Sequence, residues 1–121
     1  MNTRGLVLAT LLGTILQVAM VVAGHSNSSI AALFAVGGMG FSLLAGAAYP
    51  FFARGVSMGA AAAGGAIAGA LCALIGIGIS YALGDVPASL LALGTLSSAV
   101  TGAIGGALGR LVAQRGVSQA V

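Results

Sequence analysis

Few side chains in this chain can do chemistry. Asp85 is the sole acidic residue, His25 the sole histidine and Cys72 the sole cysteine. One carboxylate cannot supply the acid–base pair of a hydrolase or the oxygen cage of a hard cation. Neither His25 nor Cys72 has company at metal-ligand spacing, and one thiol supports no disulfide framework. Cys72 reads as a small buried apolar residue. A Ser/His/Asp triad could be assembled from parts, but no serine lies in a nucleophile turn. The glycine-rich runs lack the Lys-Ser/Thr that follows a phosphate loop. No ionisable residue interrupts the apolar stretches, where a proton or ion relay would place one. The expectation is a protein that is not an enzyme and holds no cofactor and no metal.

Three polar features remain. Gln17 stands inside an apolar stretch, one step beyond Gly5, Ala9 and Gly13 in a row of four-residue spacing. It should face a neighbouring helix and hydrogen-bond across the interface for about 0.6–2 kcal/mol, or else line a pore. Thr95, Ser97, Ser98 and Thr101 form a mildly polar patch. That patch needs no function, because a hydroxyl in lipid can bond back to the preceding turn. His25 and Asp85 each sit in a polar segment that follows an apolar one. They are either two unrelated residues in solvated turns or a pair at one mouth of a bundle. An exposed pair contributes only about 0–1 kcal/mol, so such a pair would matter as a pH-sensitive latch.

The elements that must position these residues are membrane spans. Of the 121 residues, 60% are hydrophobic, 4% are charged and 21 are glycine, and the mean hydropathy is +1.18. So small a soluble domain could not bury that much apolar surface, and long uncharged apolar stretches mark transmembrane helices. Four spans are expected in one domain, over 5–23, 30–52, 59–83 and 88–113. Between the first two, Ser28 or Ser29 is placed to cap the second helix. Pro50 marks the exit of the second span, and Tyr49, Phe51 and Phe52 beside it suggest an aromatic belt. Arg54-Gly55 forms the next turn. Gly84-Asp85-Val86-Pro87 is a strong break, in which Gly ends one helix, Asp can cap the next and Pro fits a first turn. Residues 114–121 read as a polar, frayed tail. A signal peptide is the rival reading of the first span, with Arg4 before it and Val21-Val-Ala23 as a cleavage site. Its apolar run is longer than the usual h-region of roughly 7–15 residues.

Charge sets the orientation. Net charge is +3 and comes from arginines at segment ends, with no basic patch suited to nucleic acid. Arg4, Arg54, and Arg110 with Arg115 alternate with the His25 and Asp85 turns, so four crossings put every arginine on one side. By the positive-inside rule that side is cytoplasmic, with both termini inside, and a bacterial cytoplasmic (inner) membrane is the expected setting.

Small residues recur along all four spans at the spacing of a glycine zipper. The rows are Gly5, Ala9 and Gly13; Gly38, Ser42 and Gly46; Gly65, Gly69 and Ala73; and, in the last span, Gly102 and Gly106. Helices in lipid associate through such rows, because small residues let backbones approach. A shift of 60 residues superposes the first row on the third and the second on the fourth, along with Gly24 on Gly84 and His25 on Asp85. Two tandem helical hairpins, about 1–57 and 61–118, would then be related by an axis along the membrane normal. If the first and third rows faced each other, the two turns would be drawn to the centre. The expected architecture is an all-α, four-transmembrane-helix bundle of two such hairpins.

In spacing alone, the chain resembles several small four-helix, glycine-rich membrane families, among them the transmembrane protein 14 group. That resemblance rests on no diagnostic motif and carries no function. Small multidrug transporters share the length and helix count, but resembling them would require an acidic residue in the first helix, where this chain has Gln17. The leading expectation is a structural or accessory component of a membrane assembly, acting by helix packing in the lipid bilayer with itself or other membrane subunits. The alternative is a homo-oligomeric channel or transporter for a small solute.

Overall fold

The structure, a computed structural model, describes residues 2–31 and 33–120, without the side chains of residues 30, 31, 35 and 114–120. The Arg115 side chain, counted above among the arginines of one end, lies outside the described residues. In chain order the helices are α1 (Thr3–Ser26), α2 (Ser28–Ala31), α3 (Phe34–Phe52), α4 (Met58–Ala82) and α5 (Ser89–Ala120), with no strand among the described residues. Three stretches, Thr3–Ser26, Met58–Ala82 and Ser89–Ala113, are long and apolar enough to cross a membrane; α3 holds a shorter apolar stretch, Val36–Phe52.

Local chemistry explains several of the boundaries. The Asn2 side chain accepts the Gly5 N–H at 2.8 Å and opens α1; Ser57 Oγ accepts the Ala60 N–H at 3.1 Å and opens α4. Each satisfies one of the orphan donors of a first turn. At the end of α4, Gly84 takes φ +78°, a left-handed conformation that glycine adopts without a Cβ clash. Its N–H bonds the Tyr81 carbonyl at 2.9 Å and the Asp85 N–H bonds the Ser80 carbonyl at 3.0 Å, the two bonds of a Schellman stop.

Several sequence expectations are corrected. The second span is not one helix over 30–52: α2 ends at Ala31 and α3 starts at Phe34, whose N-terminus has no side-chain cap. Nothing in the apolar residues around the break marks it. Asn27, rather than Ser28 or Ser29, caps α2, its Oδ1 accepting the Ser29 N–H at 3.0 Å. Asp85 does not cap α5, because its carboxylate goes to His25. Tyr49 is no belt residue. It is fully buried, its ring lies against Gly64, and its hydroxyl accepts the Asn2 N–H at 3.1 Å. The tail is helical through Ala120; no proline interrupts it.

The helices run up and down in alternation. Gly5 and Gly13 of α1 lie against Ala53 and Ala45, so α1 and α3 are antiparallel. The same logic pairs α4 antiparallel to α5 through Gly65 with Gly106 and Gly69 with Ser98. The parallel pair α3 and α5 meets through Leu43 with Gly105 and Ala47 with Gly109. α3 and α4 form the central pair, with α1 against both on one side and α5 against both on the other; α1 and α5 share no comparable interface. Arg4, Arg54 and Arg110 consequently collect at one end of the bundle, where Arg110 Nε donates to the Val56 carbonyl at 3.0 Å. His25 and Asp85 lie at the other.

Candidate functional site

Backbone contact dominates the arginine-end half. A Cβ added to Gly69 would stand 2.6 Å from the Ser98 carbonyl oxygen, and one on Gly65 would stand 2.9 Å from Gly106 Cα. Gly46 and Gly102 meet in the same way, backbone against backbone. The α4 row therefore turns to α5, not to α1. What α1 meets on α4 is the next stripe, where Gly13 lies against Cys72 and Gly76 against Gln17. The rows of α1 and α4 that the 60-residue shift superposes do not face each other. Ala9 is fully buried in the cluster that also holds Ala45, Tyr49, Ala53, Ala68 and Cys72. Gly38 makes no backbone contact of this kind, and its carbonyl serves as an acceptor instead.

At the level of Gln17 the packing becomes polar. Gln17 is 2% exposed, and its Nε2 donates to the Gly38 carbonyl at 3.0 Å and to Ser42 Oγ at 3.2 Å, with Cys72 Sγ at 3.8 Å. Ser42 Oγ and Cys72 Sγ each donate onward to the Gly69 carbonyl at 3.3 Å. Three helices are thus joined by one network through Gln17 Nε2, Ser42 Oγ and Cys72 Sγ. Ser42 was read from sequence as a packing residue and Cys72 as an apolar one. Their convergence depends on three helices meeting, which spacing along one chain does not encode.

Beyond Gln17 the helices separate around a cavity of about 190 Å³. Its wall is mostly apolar, from Met20, Val21, Phe34, Met39, Ile77, Val86, Leu90 and Leu93, with Ala73 and Gly94. Gln17, Ser80, Ser97 and Ser98 are its polar lining. Ser80 is 2% exposed, and among the described residues its Oγ has no hydrogen-bond partner. In the expected hydroxyl patch, Thr101 Oγ1 does bond back to the Ser97 carbonyl at 2.7 Å, whereas Thr95 Oγ1 is buried without a partner.

At the same end of the bundle as the cavity, His25 Nδ1 and Asp85 Oδ2 lie 2.9 Å apart. His25 belongs to the last turn of α1. The contact links α1 to the α4–α5 connection, next to Val86 in the cavity wall. A neutral imidazole protonated at Nδ1 can donate this bond as well as an imidazolium can, so the geometry does not require the charged form.

Fold and site together define a membrane-type helical bundle with a polar central network and a lined cavity at one end. No family model, curated protein or solved structure matches the chain. The likeness in spacing to small glycine-rich membrane families therefore assigns no family.

Proposed function

We propose that this is an integral membrane protein of four spans that acts by helix packing, as a structural or accessory component of a membrane assembly. The observation that carries the reading is the close backbone approach of Gly46, Gly65, Gly69, Gly102 and Gly106 across three helices. Such contacts hold helices together where lipid removes the hydrophobic drive between them. The fourth span is α3, whose 19 residues reach about 28 Å at 1.5 Å per residue. That is close to the hydrocarbon thickness of a bilayer. Arg4, Arg54 and Arg110 at one end support a cytoplasmic placement of that end and of both termini, in a bacterial inner membrane. The small rows are used within the bundle, so a partner would meet the large apolar faces, such as Leu8, Leu12 and Ile15 of α1.

A second reading, a channel or transporter for a small solute, is favoured by the cavity beyond Gln17. In this conformation the glycine contacts close the other half. Reconstituted liposomes separate the two readings. The accessory role predicts no glycerol or urea flux above empty vesicles in stopped-flow light scattering, and selective flux of either would replace it with the second reading.

A further inference from the structure

We propose that the cavity is a binding site for a small uncharged alcohol, an apolar body carrying one hydroxyl, taken up from the lipid phase. The inference holds whether the bundle is accessory or transports. Size comes first. A dry engineered cavity of roughly 150 Å³ accepts benzene, so about 190 Å³ suits a body slightly larger, such as a substituted six-membered ring. Access follows from the rim, where Met39 of α3 and Leu93 and Ser97 of α5 are exposed on the bundle surface.

The polar groups then choose the ligand chemistry. Ser80 Oγ is buried in the wall with no partner among the described residues, and is able both to donate and to accept. Gln17 is held with Nε2 toward Gly38 and Ser42, so its amide orientation is fixed. Among the described residues no group donates to its Oε1. Gln17 packs on Gly76, one helical turn before Ser80, so the two side chains border the same space. Ser80 Oγ has almost no accessible surface in this rotamer, so a ligand hydroxyl accepts from it once χ1 turns the hydroxyl toward the space, and donates to Gln17. An alkane would leave Ser80 unpaired. A charged ligand would find no counter-charge, because no ionisable residue lines the cavity and His25 and Asp85, at the same end of the bundle, are bound to each other. Water alone would pair with Ser80 but wet an otherwise apolar wall.

Methionines supply the reporters. Met20 and Met39 line the cavity, whereas Met58 opens α4 at the opposite end and reports nonspecific partitioning. The protein in phospholipid nanodiscs, labelled at the methionine methyls with 13C, is titrated with cyclohexanol and with methylcyclohexane of matched shape. Cyclohexanol is expected to shift Met20 and Met39 saturably while Met58 drifts without saturation. In Ser80→Ala, which removes an unpartnered hydroxyl and so should fold normally, affinity for cyclohexanol should fall roughly 3- to 10-fold, the worth of one hydrogen bond. Methylcyclohexane should bind more weakly and ignore the substitution. Equal binding of both probes with no effect of Ser80→Ala would mean that the cavity takes acyl chains, and would overturn the proposal. Absence of any saturable shift at Met20 and Met39 would overturn it as well.

Discussion

Gln17 is an amide placed where an apolar residue would cost nothing to bury, and its partners decide whether it stabilises or strains the bundle. Its position on the Gly5, Ala9, Gly13 row was legible, because four-residue spacing puts it on the same helix face. Its partners were not, since Ser42 and Cys72 arrive from two other helices. Replacing Gln17 with Leu should lower stability in detergent by on the order of 1 kcal/mol, the range of interhelical hydrogen bonds in membranes. Ser42→Ala should cost less in that background than in the wild type, because contacting groups are not additive; strictly additive losses in denaturation would show that the two do not act together. The His25–Asp85 pair is a weaker device. With side chains 49% and 25% exposed, it should show a coupling below about 1 kcal/mol in a double-mutant cycle. A larger coupling would mean that the pair is shielded from solvent.

Among the helices, the Gly84 break between α4 and α5 was legible in sequence, whereas the Asn2 and Ser57 caps that open α1 and α4 were not read there. Within the stretch read as the second span, α2 ends at Ala31 and α3 starts at Phe34, and the apolar run there holds no glycine or proline to signal it. Sequence also could not say which glycines pack. Gly69 and Gly78 look alike in sequence, yet a Cβ on Gly69 would strike α5, whereas one on Gly78 would meet nothing within 4 Å. Gly69→Ile should force α4 and α5 apart and lower the melting temperature in detergent by more than ten degrees, on the order of several kcal/mol of lost packing. Gly78→Ala should be neutral or mildly stabilising, since alanine is the better helix former. Similar melting temperatures for the two variants would show that the glycine contacts carry no packing energy.

The whole molecule is uneven along its axis, closed by backbone contact at the arginine end and open around a cavity at the other. Its lateral arrangement is uneven too. A two-fold exchanging the hairpins would give α1 and α5 the interface that α3 and α4 have, and they lack it. The proposed repeat would thus be one of sequence and topology, with the second copy's row turned to α5. Alternation of direction was legible from the short turns between apolar runs. Which pair of helices would become central was not, because that depends on the depth of side chains such as Tyr49, buried across from Gly64. The central claim is that four segments, α3 included, cross a bilayer with the arginines on one side. Single cysteines in a Cys72→Ser background, at Ser26, Arg54 and Asp85, can be labelled with a membrane-impermeant maleimide in right-side-out and inverted vesicles. Labelling of the Ser26 and Asp85 positions only from outside, and of Arg54 only from inside, is the predicted result; labelling of Ser26 and Arg54 from the same side would show that α3 does not cross, and would contradict the account.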